Sequence, residues 1–312
     1  MRNSYLSALY SLAKENKQVL ALVADNGAIV YDDFRRDFPD QFINFGISEA
    51  NMIGAAAGLA SCGKVPFAYT IIPFLTMRAY EQIRNDVCLQ DQNVKLVGIG
   101  AGFVYSTLGP THHAIEDIAI MRVLPNMTVI SPASPREAAQ ATIAAVQHKG
   151  PVYLRLGTTK EPEIYDNDYS FEIGRGVVLR DGSDVAIIGT GSVVHNALLA
   201  VDSLASQGIS ARVINIHTIK PIDRELIIKA AYETGAVITV EEHSIIGGLG
   251  GAVAEILAEC SLGRVAFDRM GLNDCFCQGY GNHDLLKEIN GLSPVDIERS
   301  IINALNKKAS LK

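Results

Sequence analysis

The sequence predicts an α/β protein made of two doubly wound domains, each a mostly parallel sheet covered by helices on both faces. Three observations carry this expectation. Short, continuously apolar runs alternate with longer helical patterns, as strands do when crossover helices bury both faces of a sheet. A chain of 312 residues is about two domains long at roughly 150 residues each. The alternation is interrupted by one polar, turn-rich stretch, TTKEPEIYDNDYSFEIGRG from Thr158 onward, where few contacts need cross and a linker belongs. The expected division is a first domain over 1–160, a linker over 161–183 and a second domain over 184–312.

MRNSYLSALYSLAKEN opens the chain as an amphipathic helix; it lacks the long apolar run and small-residue cleavage site of a signal peptide. Buried strands follow at Val19–Asp25, Lys64–Ile71, Val94–Gly100, Met127–Pro132 and Pro151–Leu156. Helical patterns lie between them at Glu49–Cys62, Phe74–Leu89 and Pro135–His148. The second set has strands at Asp184–Gly191, Ser210–Ile219, Ala236–His243 and Arg264–Gly271. Its helices are His195–Gln207, Asp223–Thr234, one beginning at Gly251–Glu259, and a terminal one near Pro294–Asn306.

Composition excludes several classes. Lys and Arg number 27 against 34 Asp and Glu, a net charge of −7, which argues against nucleic-acid binding by a general basic surface. No apolar run reaches the roughly 20 residues that cross a bilayer, so no membrane association is expected. The cysteines are five, irregularly spaced, and no export signal accompanies them; reduced thiols in a cytoplasmic protein are the expectation. Cys275-Phe276-Cys277 has no second half of a zinc site, so this chain is expected to bind no metal itself. Two glycine turns, Gly189-Thr190-Gly191-Ser192 and Gly247-Gly248-Leu249-Gly250-Gly251, sit where a dinucleotide pyrophosphate could rest on a helix N-terminus. Neither has the G-x-G-x-x-G register, and tight strand-to-helix turns need glycine for backbone reasons alone. No P-loop is present.

The most informative stretch is Phe42-Ile43-Asn44-Phe45-Gly46-Ile47-Ser48-Glu49-Ala50-Asn51-Met52-Ile53-Gly54-Ala55-Ala56-Ala57-Gly58-Leu59-Ala60. Glu49 opens a helix of small and apolar residues, which should be buried over most of its surface. Its carboxylate either complements the helix dipole, worth about 0.3–1 kcal/mol, or is a buried acid suited to proton exchange. Further along, Phe74, Met77 and Tyr80 recur at three-residue spacing and so would share one helical face. That face is either core packing or a ring-binding wall. Gly109-Pro110-Thr111-His112-His113-Ala114-Ile115-Glu116-Asp117 places His112, an imidazole suited to moving protons at neutral pH, in a loop.

These segments resemble the pyrimidine-binding half of the transketolase family of thiamine diphosphate enzymes. The resemblance continues through Asp184–Gly191 and Val240–Gly250, which are typical of that family's C-terminal domain, and so covers essentially the whole chain. It implies that Glu49 hydrogen-bonds N1′ of the cofactor's aminopyrimidine, and that Phe74, Met77 and Tyr80 surround that ring, Met77 replacing a second aromatic. It implies that His112 contacts substrate, with His113 and Arg155 as further substrate candidates. Glu49 and His112 are thus the expected catalytic residues.

The family's diphosphate half is missing. There is no G-D-G; the one Asp-Gly, Asp181-Gly182, lies in the expected linker. In the family that motif and a downstream Asn hold Mg²⁺ and the diphosphate through hard oxygen ligands. The resemblance therefore implies a partner subunit carrying that domain, in an α2β2 assembly or around a homodimer core, acting on small sugars. Leu108 stands where the family usually has a hydroxyl-reading aspartate, Gly100 where it has a histidine, and a phosphate-binding arginine falls near Thr158. The leading expectation is a two-carbon ketol transfer between sugars or sugar phosphates. The alternatives are a subunit of another thiamine diphosphate enzyme, such as the β chain of a 2-oxo acid dehydrogenase or a 1-deoxyxylulose 5-phosphate synthase, or a non-catalytic scaffold.

Overall fold

Strands with no exposed residue dictate the architecture, because such strands must be covered on both faces. The computed structural model describes residues 1–158, 161–165, 170–260 and 263–311. In chain order the first half contains α1 (Arg2–Glu15), β1 (Val19–Val23), α2 (Asp32–Asp37), β2 (Phe42–Asn44), α3 (Glu49–Ser61), β3 (Val65–Ile71), α4 (Ile72–Thr76), α5 (Tyr80–Gln82), β4 (Lys95–Ile99), α6 (Asp117–Arg122), β5 (Thr128–Ile130), α7 (Pro135–Gln147) and β6 (Val152–Leu156). The second half contains β7 (Val177–Arg180), β8 (Val185–Gly189), α8 (Val194–Ala205), β9 (Ala211–Asn215), β10 (Thr218–Lys220), α9 (Arg224–Thr234), β11 (Ala236–Ser244), α10 (Leu249–Glu259), β12 (Ala266–Leu272), α11 (His283–Ile289) and α12 (Pro294–Ser310).

Two sheets result, ordered β10-β5-β6-β4-β3-β1-β2 and β12-β11-β8-β9-β7. Every pairing is parallel except β10 with β5 and β7 with β9, at the two sheet edges. All residues of β1, β3, β4, β6 and β8 are buried. One face of the first sheet packs Tyr5, Phe67 and Tyr69, the other Leu22, Met52 and Leu96. Helix starts follow their capping residues: Ser134 accepts from Glu137 N ahead of Pro135, and Ser293 and Asp296 form a reciprocal capping box. Among the described residues no helix is long and apolar enough to cross a membrane.

Three expectations change. The run Ser210–Ile219 is two strands: β9 stays in the second sheet, while β10 crosses to the edge of the first, pairing Thr218 with Ile130. Val177–Arg180, inside the expected linker, is an edge strand paired with β9; residues 166–169 of that segment lie outside the described residues. Its alternating burial is the short two-period pattern of an edge strand, easily lost among polar neighbours. Phe74–Leu89 is not one helix: α4 ends at Thr76, α5 starts at Tyr80, and Ile83–Cys88 closes with π-type bonding. The expected burial of α3 over most of its surface leaves one exposed side, formed by Ala50, Asn51, Gly58 and Ser61.

Candidate active site

In an open α/β sheet the carboxyl ends of the strands converge on a common rim, where ligands bind. Here β2 leads into α3, β3 into α4, and β4 into the loop ending at α6, so the rim collects Glu49, Phe74 and His112. The approach to Glu49 is shaped by Asn44, whose Oδ1 accepts from Asp25 N at 3.0 Å and Gly46 N at 2.9 Å. Gly46 supplies the left-handed residue of that turn, with φ +67°. Glu49 begins α3 and is 5% exposed. Its Oε1 accepts a hydrogen bond from Nη1 of Arg78 at 3.1 Å. The same guanidinium lies over the Phe74 ring, with Cζ 3.9 Å from the centroid. Phe74 in turn meets His112 edge-to-face, with ring centroids 5.1 Å apart. Glu49, Arg78, Phe74 and His112 therefore form one contiguous group.

The break between α4 and α5 decides which expected ring contacts belong to it. Ala79, with φ −108° and ψ 19°, interrupts the helical repeat, so Phe74, Met77 and Tyr80 do not share a face. Phe74 packs beside the first sheet's Tyr5–Tyr69 face. Tyr80 turns to the opposite side, where its hydroxyl donates to the Ile120 carbonyl at 2.9 Å. Met77, in the turn between the two helices, is 41% exposed.

The loop carrying His112 is held from beneath. Gly102 and Ala114 exchange backbone hydrogen bonds at its neck, at 3.2 and 2.9 Å. Glu242, reaching over from β11, accepts from Phe103 N at 3.2 Å, Ser192 Oγ at 2.6 Å and His283 Nε2 at 2.7 Å. A side chain on Gly102 would collide with Glu242, so the glycine permits this approach. Burial alone would raise the Glu242 carboxyl and lower His283, but their mutual attraction prevails: Glu242 sits well below the usual carboxylate range and His283 above the usual imidazole range. His112 itself hydrogen-bonds Thr111 Oγ1 through Nδ1 at 3.0 Å, and among the described residues Nε2 has no hydrogen-bond partner.

Two expected substrate contacts are placed elsewhere. His113 is 3% exposed beneath the loop, its ring 6.1 Å from Phe103, and burial lowers its pKa. Arg155 is 2% exposed. Its Nε donates to Asp117 Oδ2 at 2.7 Å, and its Nη2 donates to the carbonyls of Ala114 at 2.8 Å and Glu242 at 3.0 Å. Burial opposes its charge, and the Asp117 carboxylate more than compensates, raising its pKa. Arg155 is thus a tie between the loop and the second domain. It lies on β6, where alternate side chains face opposite sides of the sheet, and only the three-dimensional partner shows which side is lined by a carboxylate.

Of the family departures, Gly100 has φ +94°, and the Tyr105 ring fills the space that its side chain would need. Tyr105 also flanks His112, with ring centroids 6.3 Å apart. Leu108 is exposed. The glycine turn at Gly247–Gly251 is occupied internally: Glu241 accepts from Leu249 N at 2.7 Å and Gly250 N at 2.8 Å. That carboxylate takes the place a pyrophosphate would need at the start of α10.

The Arg78 guanidinium, over Phe74 and donating to Glu49, marks a seat for a planar, delocalised group whose nitrogen can share a proton with the carboxylate. The aminopyrimidine of thiamine diphosphate has that shape and hydrogen-bonding pattern, so these residues fit the cofactor. Residues 1–161 match the transketolase pyrimidine-binding domain and residues 174–297 the transketolase C-terminal domain.

The chain belongs to the transketolase family.

It resembles the 6-deoxy-6-sulfo-D-fructose transketolase subunit of Clostridium sp. (strain MSTE9), being 40% identical over 99% of this chain and 95% of that one. An apulose-4-phosphate transketolase subunit from Phocaeicola vulgatus is 40% identical over 83% of each chain. A split-gene transketolase solved as an inactive β4 tetramer superposes with a TM-score of 0.89 at 43% identity, over 98% of both chains. This transketolase subunit has the pyrimidine-binding and C-terminal domains of its family. Arg78, Asp117, Glu242 and His283 were not singled out by sequence reasoning as parts of the site. The signal for Glu242 was present, as two carboxylates near the end of the apolar run AVITVEEH; Arg78 left none, because its position depends on the helix break.

Proposed function

We propose that this subunit supplies the pyrimidine side of a thiamine diphosphate site and, with a separately encoded partner, transfers a two-carbon ketol unit between sugars. The observation that carries the reading is the juxtaposition, through Arg78, of the buried Glu49 carboxylate with the face of the Phe74 ring. Bound there, the cofactor supplies a carbon nucleophile and an electron sink. Glu49 holds a proton against ring nitrogen N1′, and its burial strengthens that hydrogen bond by lowering the local dielectric. Phe74 orients the ring plane, with Met77 at its rim. His112, seated on Phe74 and Tyr105, moves protons at substrate oxygens through Nε2.

A cofactor gripped only by its ring is badly oriented. The diphosphate and Mg²⁺ are assigned to the partner, in an α2β2 complex whose core is a pair of these chains. The exposed Ala50, Asn51, Gly58 and Ser61 side of α3 supports such a core, because small side chains allow close helix approach. The likeness to an inactive β4 assembly supports dependence of activity on the partner. The reading places the protein in the cytoplasm, consistent with five unpaired cysteines.

Glu49→Gln in the reconstituted complex tests the reading. The amide keeps the shape but cannot exchange the proton. Turnover should fall by about 10²–10⁴-fold, with assembly unchanged by gel filtration. A variant of normal activity defeats the assignment.

A further inference from the structure

We propose that Arg78 is a built-in occupant of the pyrimidine seat, which the cofactor must displace before the site is competent. The inference rests on the reading that Glu49 and Phe74 seat the cofactor's ring. Both groups are engaged by one side chain: Nη1 lies 3.1 Å from Glu49 Oε1, and Cζ lies 3.9 Å from the Phe74 centroid. A guanidinium is planar, delocalised and rich in N–H donors, so it satisfies the same stacking face and the same carboxylate that an aminopyrimidine would. The two cannot share the seat. Phe74 also meets His112 edge-to-face, and Glu49 is 5% exposed, so little of either is left for a second group.

The backbone suits a removable occupant. Arg78 lies between α4, which ends at Thr76, and α5, which starts at Tyr80, so its stem is not locked into a helical row. Its side chain is 50% exposed against 6% for Glu49, so water can take the guanidinium when it leaves. Among the described residues it has no further hydrogen-bond partner. While the seat holds no cofactor, the contact keeps a buried carboxylate from standing unpaired, a condition that is strongly unfavourable. The cofactor's measured affinity is then its intrinsic affinity reduced by the fraction of chains in which Arg78 is in place.

The experiment is calorimetric titration of thiamine diphosphate, with Mg²⁺, into the reconstituted complex, together with stopped-flow measurement of its association. Arg78→Ala should bind the cofactor roughly tenfold tighter, the size expected from one half-exposed ion pair plus one cation–π contact, and associate faster. Arg78→Lys keeps the charge but loses the planar guanidinium, and should fall between wild type and Ala. Arg78→Gln repeats the Ala direction should Ala disturb assembly. Unchanged or weaker binding in Ala and Gln overturns the proposal, the weaker result making Arg78 a cofactor-holding residue instead. Glu49→Gln and Phe74→Ala separate this from the reading beneath it. Both should weaken binding whether or not Arg78 is a plug, and full affinity in both would remove the seat itself.

Discussion

Arg155→Met separates two roles for one residue, a substrate contact as the sequence suggests or the structural tie that the fold displays. The substitution keeps an apolar stem of similar length and deletes the donors. It leaves Asp117, which is 0% exposed, with the Tyr153 hydroxyl at 2.7 Å as its remaining side-chain donor. It also removes the Arg155 donor from the carbonyls of Ala114 and Glu242. Removing one member of a buried ion pair costs about 3–5 kcal/mol, mostly because the other charge is stranded. At roughly 2–4 °C per kcal/mol for domains of this size, Tm should fall by roughly 6–20 °C. Urea unfolding and thermal denaturation at neutral pH measure this directly. Arg155→Met with Asp117→Leu should recover part of the loss, because no charge is then stranded although the buried Tyr153 hydroxyl loses its Asp117 acceptor. In the reconstituted complex kcat should drop as the His112 loop loosens, while KM for an anionic sugar should hold. A variant within about 2 °C of wild type, with KM raised about tenfold, would refute the structural reasoning and restore Arg155 to the substrate.

Further outcomes follow from the same geometry. The Glu242–His283 pair should make stability peak in mildly acidic solution. His283 is raised above its usual 6.5, so its contribution is present below that value and lost as pH rises through the raised one. Glu242 is lowered below its usual 4.5, so its contribution is present above that value and lost as pH falls. His283→Asn should flatten the alkaline side of a plot of urea midpoint against pH, and an unchanged slope there sinks the argument. Gly100→Ala should destabilise the subunit by about 1–3 kcal/mol, combining a left-handed backbone with a clash against Tyr105; Tyr105→Ala should relieve only the clash, seen as partial recovery of Tm. Xylulose 5-phosphate and ribose 5-phosphate should be poor substrates of the complex, because the missing phosphate contact near Thr158 is worth about 1.5–3 kcal/mol. High kcat/KM with both, in a steady-state coupled assay, contradicts this.

Much of the protein was legible in the sequence because local rules were sufficient. Fully apolar runs bounded by turns become parallel strands wherever they lie, and Ser134-Pro135 or Ser293-Pro294 starts a helix without help from distant residues. Glu49 could be picked out because a carboxylate opening a helix of alanines and glycines is locally anomalous. What local rules could not settle was anything set by partners far along the chain. Tyr80 repeats at the right interval but leaves the site because Ala79 breaks the helix. Arg155 looks like a substrate cation until Asp117, 38 residues away, is seen beside it. Glu242 reaches the His112 loop from 139 residues beyond Phe103. Periodicity reports which way a side chain points within its own element; only the packing of elements decides which charge it meets there. The buried parallel strands, the Ser-Pro helix starts and the acid at the head of α3 were therefore determined by the sequence itself, whereas the tertiary structure alone decided that β7 and β10 close the sheet edges, that Arg78 rather than Tyr80 lies against Phe74 and that Arg155 is buried.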